Sequence, residues 1–311
     1  MLYIRGHKII KGYIGNTPIS YVGFGKSGLI KIKSENGGSD YPNNLIAKYT
    51  ANASGVLPTF NSGYQYIANE TESNGIYTVE ISSDSDFTSC NFSGKTQLLT
   101  VDYLKVTDKV TTMYQMFDNC NNLISLDASN WNTSNVTSMV NMFIYCNSLT
   151  KLDLTSFRLT NCETIKDMFG YCDKLETIIF PNNFCTSGTL TNMQGVFVKC
   201  KSLKSLDLSN WNIANVISIS WMLQECTSLT TLNISNWRLN DTITIQQIFM
   251  DSPNIKTIIM NDSDYNSVNK IINSLPTKLE SNPGNLTITG VDDNTQIDTT
   301  TASSKYWNIV V

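Results

Sequence analysis

Five cysteines stand at one phase of a repeat: Cys120, Cys146, Cys172, Cys200 and Cys226. Thiols in register can ligate a metal, bridge neighbours, act as nucleophiles or simply pack. A metal site needs clustered ligands, commonly C-x-x-C with further Cys or His. No pair here has that spacing, and His7 is the one histidine of the chain. Disulfides between adjacent copies are geometrically open, since a bridge needs Cα atoms only ~4.4–6.8 Å apart, but five equivalent thiols cannot all pair with one another. Cys is small, apolar and among the most buried residue types, so a ladder of reduced, packed thiols is expected, with Ser252 in the sixth place. Cys90, Cys162 and Cys185 fall outside it, and no role follows for them.

The single histidine also removes Ser/His/Asp and Cys/His machinery. The carboxylate pair Asp292-Asp293 is adjacent in a polar stretch, with nothing to place the two around a substrate, and the chain has neither a P-loop nor G-x-G-x-x-G. No catalysis, cofactor or metal is expected.

The elements that must position these thiols follow from the period. An apolar-aromatic pair precedes each Cys: Met116-Phe117, Met142-Phe143, Met168-Phe169, Val196-Phe197 and Met222-Leu223, with Ile248-Phe249 before Ser252. Successive copies are 26 residues apart, except for one step of 28 whose extra residues are placed in 182–188, where they should bulge outward without breaking the stack. That period lies in the range of leucine-rich repeats. After each Cys position comes L-x-x-L-x-L, as in Leu149, Leu152 and Leu154, whose alternating end reads as a short strand with one buried face. Three residues beyond the strand sits a large ring, Trp131, Phe157, Trp211 or Trp237, a series that Asn183 and Ser263 interrupt. Val136, Met139, Met142 and Phe143 are spaced by three and four, as on one face of a short helix. Each coil is thus expected as strand, turn, short helix, turn. No coil buries its own edges, so neighbours must cover them. Val110 and Met113 place a partial coil from Leu98. At the other end a helix over 265–275, a strand over 284–291, and a short helix with a final strand over 299–311 are expected. About eight coils at ~4.8 Å give an array on the order of 40 Å long.

Alternation turns every second strand residue outward. One exposed column reads Ser125, Lys151, Thr177, Ser205, Thr231 and Thr257; the next reads Asp127, Asp153, Ile179, Asp207, Asn233 and Ile259. Hydroxyls beside carboxylates and an amide can hydrogen-bond sugars or backbone, which makes Asp127, Lys151, Asp153, Thr177, Asp207 and Asn233 the candidate binding residues. These columns lack aromatic platforms. The competing reading is a solvated sheet face that continues the pattern of the repeat.

The M-F-x-x-C-x-x-L-x-x-L-D-L-S-x-W-x pattern, carried by Met142 to Phe157 with Thr155 and Phe157 as departures, resembles the BspA-type leucine-rich repeats of bacterial surface proteins and phage virion proteins. It covers about two thirds of the chain, from Leu98 onward. The resemblance implies an α/β leucine-rich-repeat solenoid with a parallel sheet and a role in adhesion or surface recognition. The segment Tyr13-Ile14-Gly15-Asn16-Thr17-Pro18-Ile19, within 1–40, resembles the opening of many phage tail and other virion proteins, and its turn signals predict small β-hairpins. Glu35 to Ser39 reads as a flexible joint. Residues 41–97, with the alternating Ile76–Ile81 stretch as the clearest strand, are expected to cap the solenoid's N-terminal edge, and 98–311 to form the solenoid with its C-terminal cap.

Composition bounds the partners. Charged residues are only 15% of the chain and the formal charge is −4, with no Lys/Arg stripe, which argues against nucleic acid. The N-terminus lacks the apolar core and cleavage site of a secretory signal, and no run approaches the ~18 apolar residues of a membrane span. The expected role is therefore a non-enzymatic virion protein: residues 1–40 dock to other virion proteins, and the solenoid recognises a host-surface protein or glycan. A bacterial cell-surface or secreted adhesin and a purely structural assembly protein are the alternatives.

Overall fold

In the computed structural model the described residues are 45–310, except 183, 279, 292 and 293, together with the backbone of short strands within the first 44. Those strands pair antiparallel in twos: Leu2–Ile4 with His7–Ile9, Tyr13–Ile14 with Thr17–Pro18, and Val22–Phe24 with Ile30–Ile32. The joint read at Glu35–Ser39 and the Asp292-Asp293 pair lie outside the described residues.

From residue 45 the chain builds an antiparallel sheet. Ile67–Ser73 and Ile76–Ser82 form a hairpin closed by Asn74 and Gly75, both at positive φ, the turn that matches strand twist. Leu45–Ala51 pairs with Ile76–Ser82 on one side and with Leu98–Leu104 on the other, and Leu98–Leu104 pairs in parallel with Ser125–Leu126. The antiparallel sheet therefore runs without a break into the first strand of the solenoid.

One parallel strand per coil follows: Lys151–Asp153, Thr177–Ile179, Ser205–Asp207, Thr231–Asn233 and Thr257–Ile259, then Gly284–Thr287 and Trp307–Val310. Leu152, Leu206, Leu232, Ile258 and Leu286 point inward and are buried. The ladder is not continuous. It is interrupted between Ser125–Leu126 and Lys151–Asp153, and between Thr177–Ile179 and Ser205–Asp207. The second gap coincides with the 28-residue step, whereas the first falls at an ordinary step of 26.

The expected short helix is replaced by turns, and the coils are almost wholly β. Met142 N–H bonds to Met139 O, Ile144 to Asn141 and Cys146 to Phe143, each closing a tight turn. Residues between them donate to the next coil instead: Met139 to Thr164 O, Asn141 to Lys166 O, Phe143 to Met168 O and Tyr145 to Gly170 O, all at 2.9–3.0 Å. Half of the donors thus close turns and half join coils. What defeats the helix is the left-handed backbone at two places per coil, as at Asn141 and Tyr145, Asp167 and Tyr171, or Trp221 and Glu225. Each such residue costs on the order of 1 kcal/mol; here it turns an N–H along the stack into an inter-coil bond. Single bridges from Thr112 through Ser138, Thr164, Asn192 and Ser218 to Thr244 start each run of turns, and this ribbon stays in register across the insertion. The side-chain spacing of three and four still buries Val136, Met139, Met142 and Phe143.

The abundance of Asn, Ser and Thr has a matching cause. Short polar side chains donate to backbone carbonyls of the preceding coil, the Asn amides to carbonyls that take no backbone N–H and the Thr hydroxyls as second donors beside one. Asn135 Nδ2 donates to Asp108 O, Asn161 to Ser134 O and Asn215 to Gly188 O; Thr137, Thr191 and Thr244 hydroxyls reach Thr111, Glu163 and Ile217 carbonyls.

At the C-terminal end the expected elements are present. Tyr265–Ser274 is a helix that begins with Asp264 accepting from Ser267 N–H, and Val268, Ile271, Ile272 and Leu275 form its buried stripe. Gly284–Thr287 and Trp307–Val310 extend the parallel sheet, with a short helix over Thr299–Ser304 between them.

Candidate functional site: the exposed columns of the coil stack

Inside the stack, the thiols have a defined task. Cys120, Cys146, Cys172, Cys200 and Cys226 direct Sγ to the carbonyls of Phe92, Phe117, Phe143, Phe169 and Phe197 in the preceding coil, at 3.0–3.2 Å. Ser252 does the same to Leu223 O at 2.6 Å. All eight cysteines are free and buried. Burial pushes the Cys120, Cys172 and Cys226 thiols up to about 12 and holds Cys146 and Cys200 well above the ordinary thiol value, the opposite of an activated nucleophile. Cys162 falls one period after Val136 and is buried with the same apolar run, while Cys185 packs beside the insertion and Cys90 beside Phe60. Among the described residues no group of three or more His, Cys, Asp or Glu is arranged to hold a metal.

The rings of the Met-Phe pairs are stacked face to face. Phe92, Phe117, Phe143, Phe169 and Phe197 lie 5.4–5.9 Å apart with ring planes within 10°. At the insertion Phe184 joins the second ring series, with its centroid 5.0 Å from Trp211, while Asn183, which the period sets in this place, lies outside the described residues. Such pairs add ~0.5–1.5 kcal/mol each beyond area burial and fix one register.

The two strand columns differ in a way their sequences do not announce. Asp127, Asp153 and Asp207 are exposed, but each carboxylate accepts the N–H two residues on, from Ser129, Thr155 and Ser209, at 2.9–3.1 Å. Asn233 accepts from Ser235 in the same way. This column is a row of turns that ends each strand, and Asp127 and Asp153 each keep one carboxylate oxygen without a hydrogen bond among the described residues. At Asp207 burial works against ionisation, but the Ser209 hydroxyl and amide and the Asn233 side chain outweigh it and hold the carboxyl below its usual range. In the neighbouring column Ser125, Lys151, Thr177 and Ser205 are exposed, and their side chains make no hydrogen bond among the described residues. Asp173–Lys201 and Glu176–Lys204 ion pairs, at 3.3 and 2.6 Å, run beside them.

A further column lies on the ribbon, at the residue before each Cys. Tyr145 and Tyr171 rings meet at a tilt with centres 4.5 Å apart, Lys199 Nζ lies 5.0 Å from the Tyr171 ring centre, and Lys199 pairs with Glu225 at 3.2 Å. Nearby, Trp221 is 36% exposed and donates its indole N–H to Gln247. These positions went unremarked in the sequence, although reading the residue before each Cys, with the one 28-residue step allowed for, returns Asn119, Tyr145, Tyr171, Lys199 and Glu225 in order.

Coil after coil, the match to known repeats can be placed on this frame. Residues 88–187 and 182–262, more than half of the chain, match the family described as "Mycoplasma protein of unknown function, DUF285". The chain belongs to the DUF285 family. DUF285 is a family of BspA-like repeats, so the repeat resemblance holds at family level, and the matched residues run from the first phenyl ring of the stack to the last Ile-Phe coil. No curated protein matches the chain.

Proposed function

We propose that this DUF285 chain is a non-enzymatic display module whose coil stack presents a recognition surface for a host-surface protein or glycan. The observation that carries the reading is the free column Ser125, Lys151, Thr177 and Ser205. It stands exposed on a strand face with its hydrogen-bonding capacity unspent, next to the Asp127 and Asp153 carboxylates, each of which uses one oxygen in its turn. A rigid sheet that holds donors and acceptors at fixed spacing binds with little ordering cost. Nucleic acid is a poor fit to the charge of −4, and no helix among the described residues is long and apolar enough to cross a membrane.

Two mounts for the module are supported by different observations. The hairpin segment 1–40 and its resemblance to virion proteins favour docking onto other virion proteins. The family's description as a mycoplasma protein favours a bacterial cell surface. Deletion of 1–40 separates them: loss of particle incorporation supports the virion, and normal incorporation sinks it. For the surface itself, binding of purified protein to host cells should fall at least tenfold in Lys151→Glu/Thr177→Glu with the melting temperature unchanged. Unaltered binding would remove the strand face from consideration and favour a purely structural role.

A further inference from the structure

Two equivalent places in the stack are completed differently. After Trp131, the Thr133 hydroxyl accepts from Arg158 N–H at 2.7 Å and donates to Arg158 O at 3.0 Å, so one oxygen meets both backbone groups of a residue in the next coil. Three coils on, Ile213 after Trp211 and Arg238 after Trp237 hold the same places. Ile213 is as deeply buried as Thr133, at 2% and 1% exposed, but its hydrocarbon side chain neither accepts nor donates. Backbone does not step in either, as Val106 O does for Asn132 N–H and Cys185 O for Asn212 N–H. Arg238 N–H and C=O are left without a partner among the described residues. A cleft of about 330 Å³ opens here, at the lower end of the ~300–1,000 Å³ of small-ligand sites. Ile213 and Arg238 line it together with Ser209, Asn210 and Asn236. Asn210 is exposed and its side-chain amide makes no hydrogen bond among the described residues. Asn236 donates to Ser209 O at 3.3 Å, and its Oδ1 accepts from none of them. The Arg238 guanidinium is loosely held, 3.5 Å from Asp262 O and 3.9 Å from the Asp264 carboxylate.

We propose that this cleft binds a saccharide of one or two rings, with one of its hydroxyls on Arg238 N–H and C=O and neighbouring hydroxyls on the Asn210 and Asn236 amides. The ligand class follows from the chain's own comparison. Arg158 shows what Arg238 lacks, a hydroxyl, the group that answers an N–H and a C=O with a single oxygen. Each saccharide hydroxyl is donor and acceptor at once, and the Asn side chains offer the same pairing a second and third time. Ile213 and Ala214 give the cleft its apolar wall for the C–H faces of the ring. A peptide strand fits less well, because pairing would need alternate residues and only Arg238 is open. Asn236 N–H is spent on Asn261 O, and Asn240 O accepts from Ile243 N–H and Lys270 Nζ. The proposal rests on reading the coil stack as a display module, and it places a site beyond the strand ends, where the column Ser125, Lys151, Thr177 and Ser205 does not reach.

Saturation-transfer NMR and titration calorimetry on the full chain, with glucose, galactose, N-acetylglucosamine and lactose as probes, test this. At least one of the four should bind. Ile213→Thr supplies the chain's own hydroxyl, as Thr133 does, and should weaken that probe by about tenfold, the worth of one hydrogen bond, with the melting temperature kept. Ile213→Val should bind as the wild type does. Asn210→Ala, at an exposed side chain without a partner, should weaken the probe to a similar degree with the fold unchanged. Lys151→Glu/Thr177→Glu should leave the probe bound, so that the strand face and the cleft fail separately. No binding by any of the four, a probe that binds folded Ile213→Thr or Asn210→Ala as tightly as the wild type, or tighter binding of N-acetyl-triglycine amide than of every saccharide would each overturn the proposal, the last by putting a peptide in the cleft.

Discussion

Trp237 donates its indole N–H to the carbonyl of Leu208 in the preceding coil, at 3.0 Å. Trp211, one coil earlier in the same column, is as deeply buried, yet its Nε1 has no acceptor. The Trp131 indole N–H likewise has no acceptor, and Phe180 and Phe184 crowd Trp211 with ring centres at 5.1 and 5.0 Å. Trp237→Phe should therefore cost about 1 kcal/mol more than Trp211→Phe. Chemical denaturation of the two variants measures the difference, and equal losses would show that the bond contributes nothing.

The thiol ladder makes stability fall in alkali. A thiol raised by burial stays protonated in the fold while the unfolded chain ionises, so its contribution is complete below the ordinary value near 9.0 and declines as pH rises toward about 12. Each such thiol removes up to about 1.4 kcal/mol per pH unit in that window. Melting curves from pH 8 to 11 should show a steep loss, and Cys172→Ser should lessen it while changing neutral stability little, since Ser252 already makes the same bond. A flat profile would contradict the burial. In the native protein none of the eight cysteines should react promptly with a thiol reagent.

Gly195 sits at φ +61 with the Asp167 carboxylate lying where a Cβ would be, while Gly94, at φ +70, has open space around it. Gly94→Ala carries only the backbone strain, about 1 kcal/mol. Gly195→Ala adds displacement of Asp167 and should lose clearly more, as seen in the denaturation midpoint. Similar losses at the two sites would mean that Asp167 swings away freely.

Asp207→Ala removes the acceptor that ties Ser209 N–H and should cost about 1 kcal/mol, whereas Lys151→Ala should leave stability unchanged. The sign of the pH effect at Asp207 follows from its lowered value: its contribution is present above the carboxylate range and is lost as pH falls through it. Thermal melts at pH 7 and pH 3 for wild type and Asp207→Ala should therefore converge at the acid end.

What the sequence made readable was whatever repeats in side-chain chemistry. The 26-residue period, the equivalence of Ser252 with the cysteines, the Leu strands and the C-terminal helices and strands all follow from polarity at fixed spacing. The ribbon did not, because Val136, Met139, Met142 and Phe143 satisfy a helix and a run of tight turns equally well, and the deciding fact is a left-handed backbone at Tyr145, Lys199 or Trp221, types that give no warning of it. The aromatic place at the insertion was assigned to Asn183, since counting alone does not tell on which side of the ring an extra residue enters. The outward strand positions were legible as two columns, but the different hydrogen bonding of the two columns was not. Asp127, Asp153 and Asp207 were read by charge, and only the distance to the amide two residues on reveals that they build turns first.

In the strands, and at the bridge that starts each run of turns, the inter-coil backbone bonds run both ways, but from the bridge onward the ribbon's backbone N–H groups point from a coil to its successor. Met113, Met139, Ile165, Met193 and Ile219 all donate forward, to Ser138, Thr164, Asn192, Ser218 and Thr244. Peptide dipoles aligned in this fashion add, as they do in a helix, with the sense reversed. The ribbon thus carries partial negative charge at its N-terminal end and partial positive charge at its C-terminal end, an electrical polarity that lengthens with each coil and that no count of charged side chains would disclose.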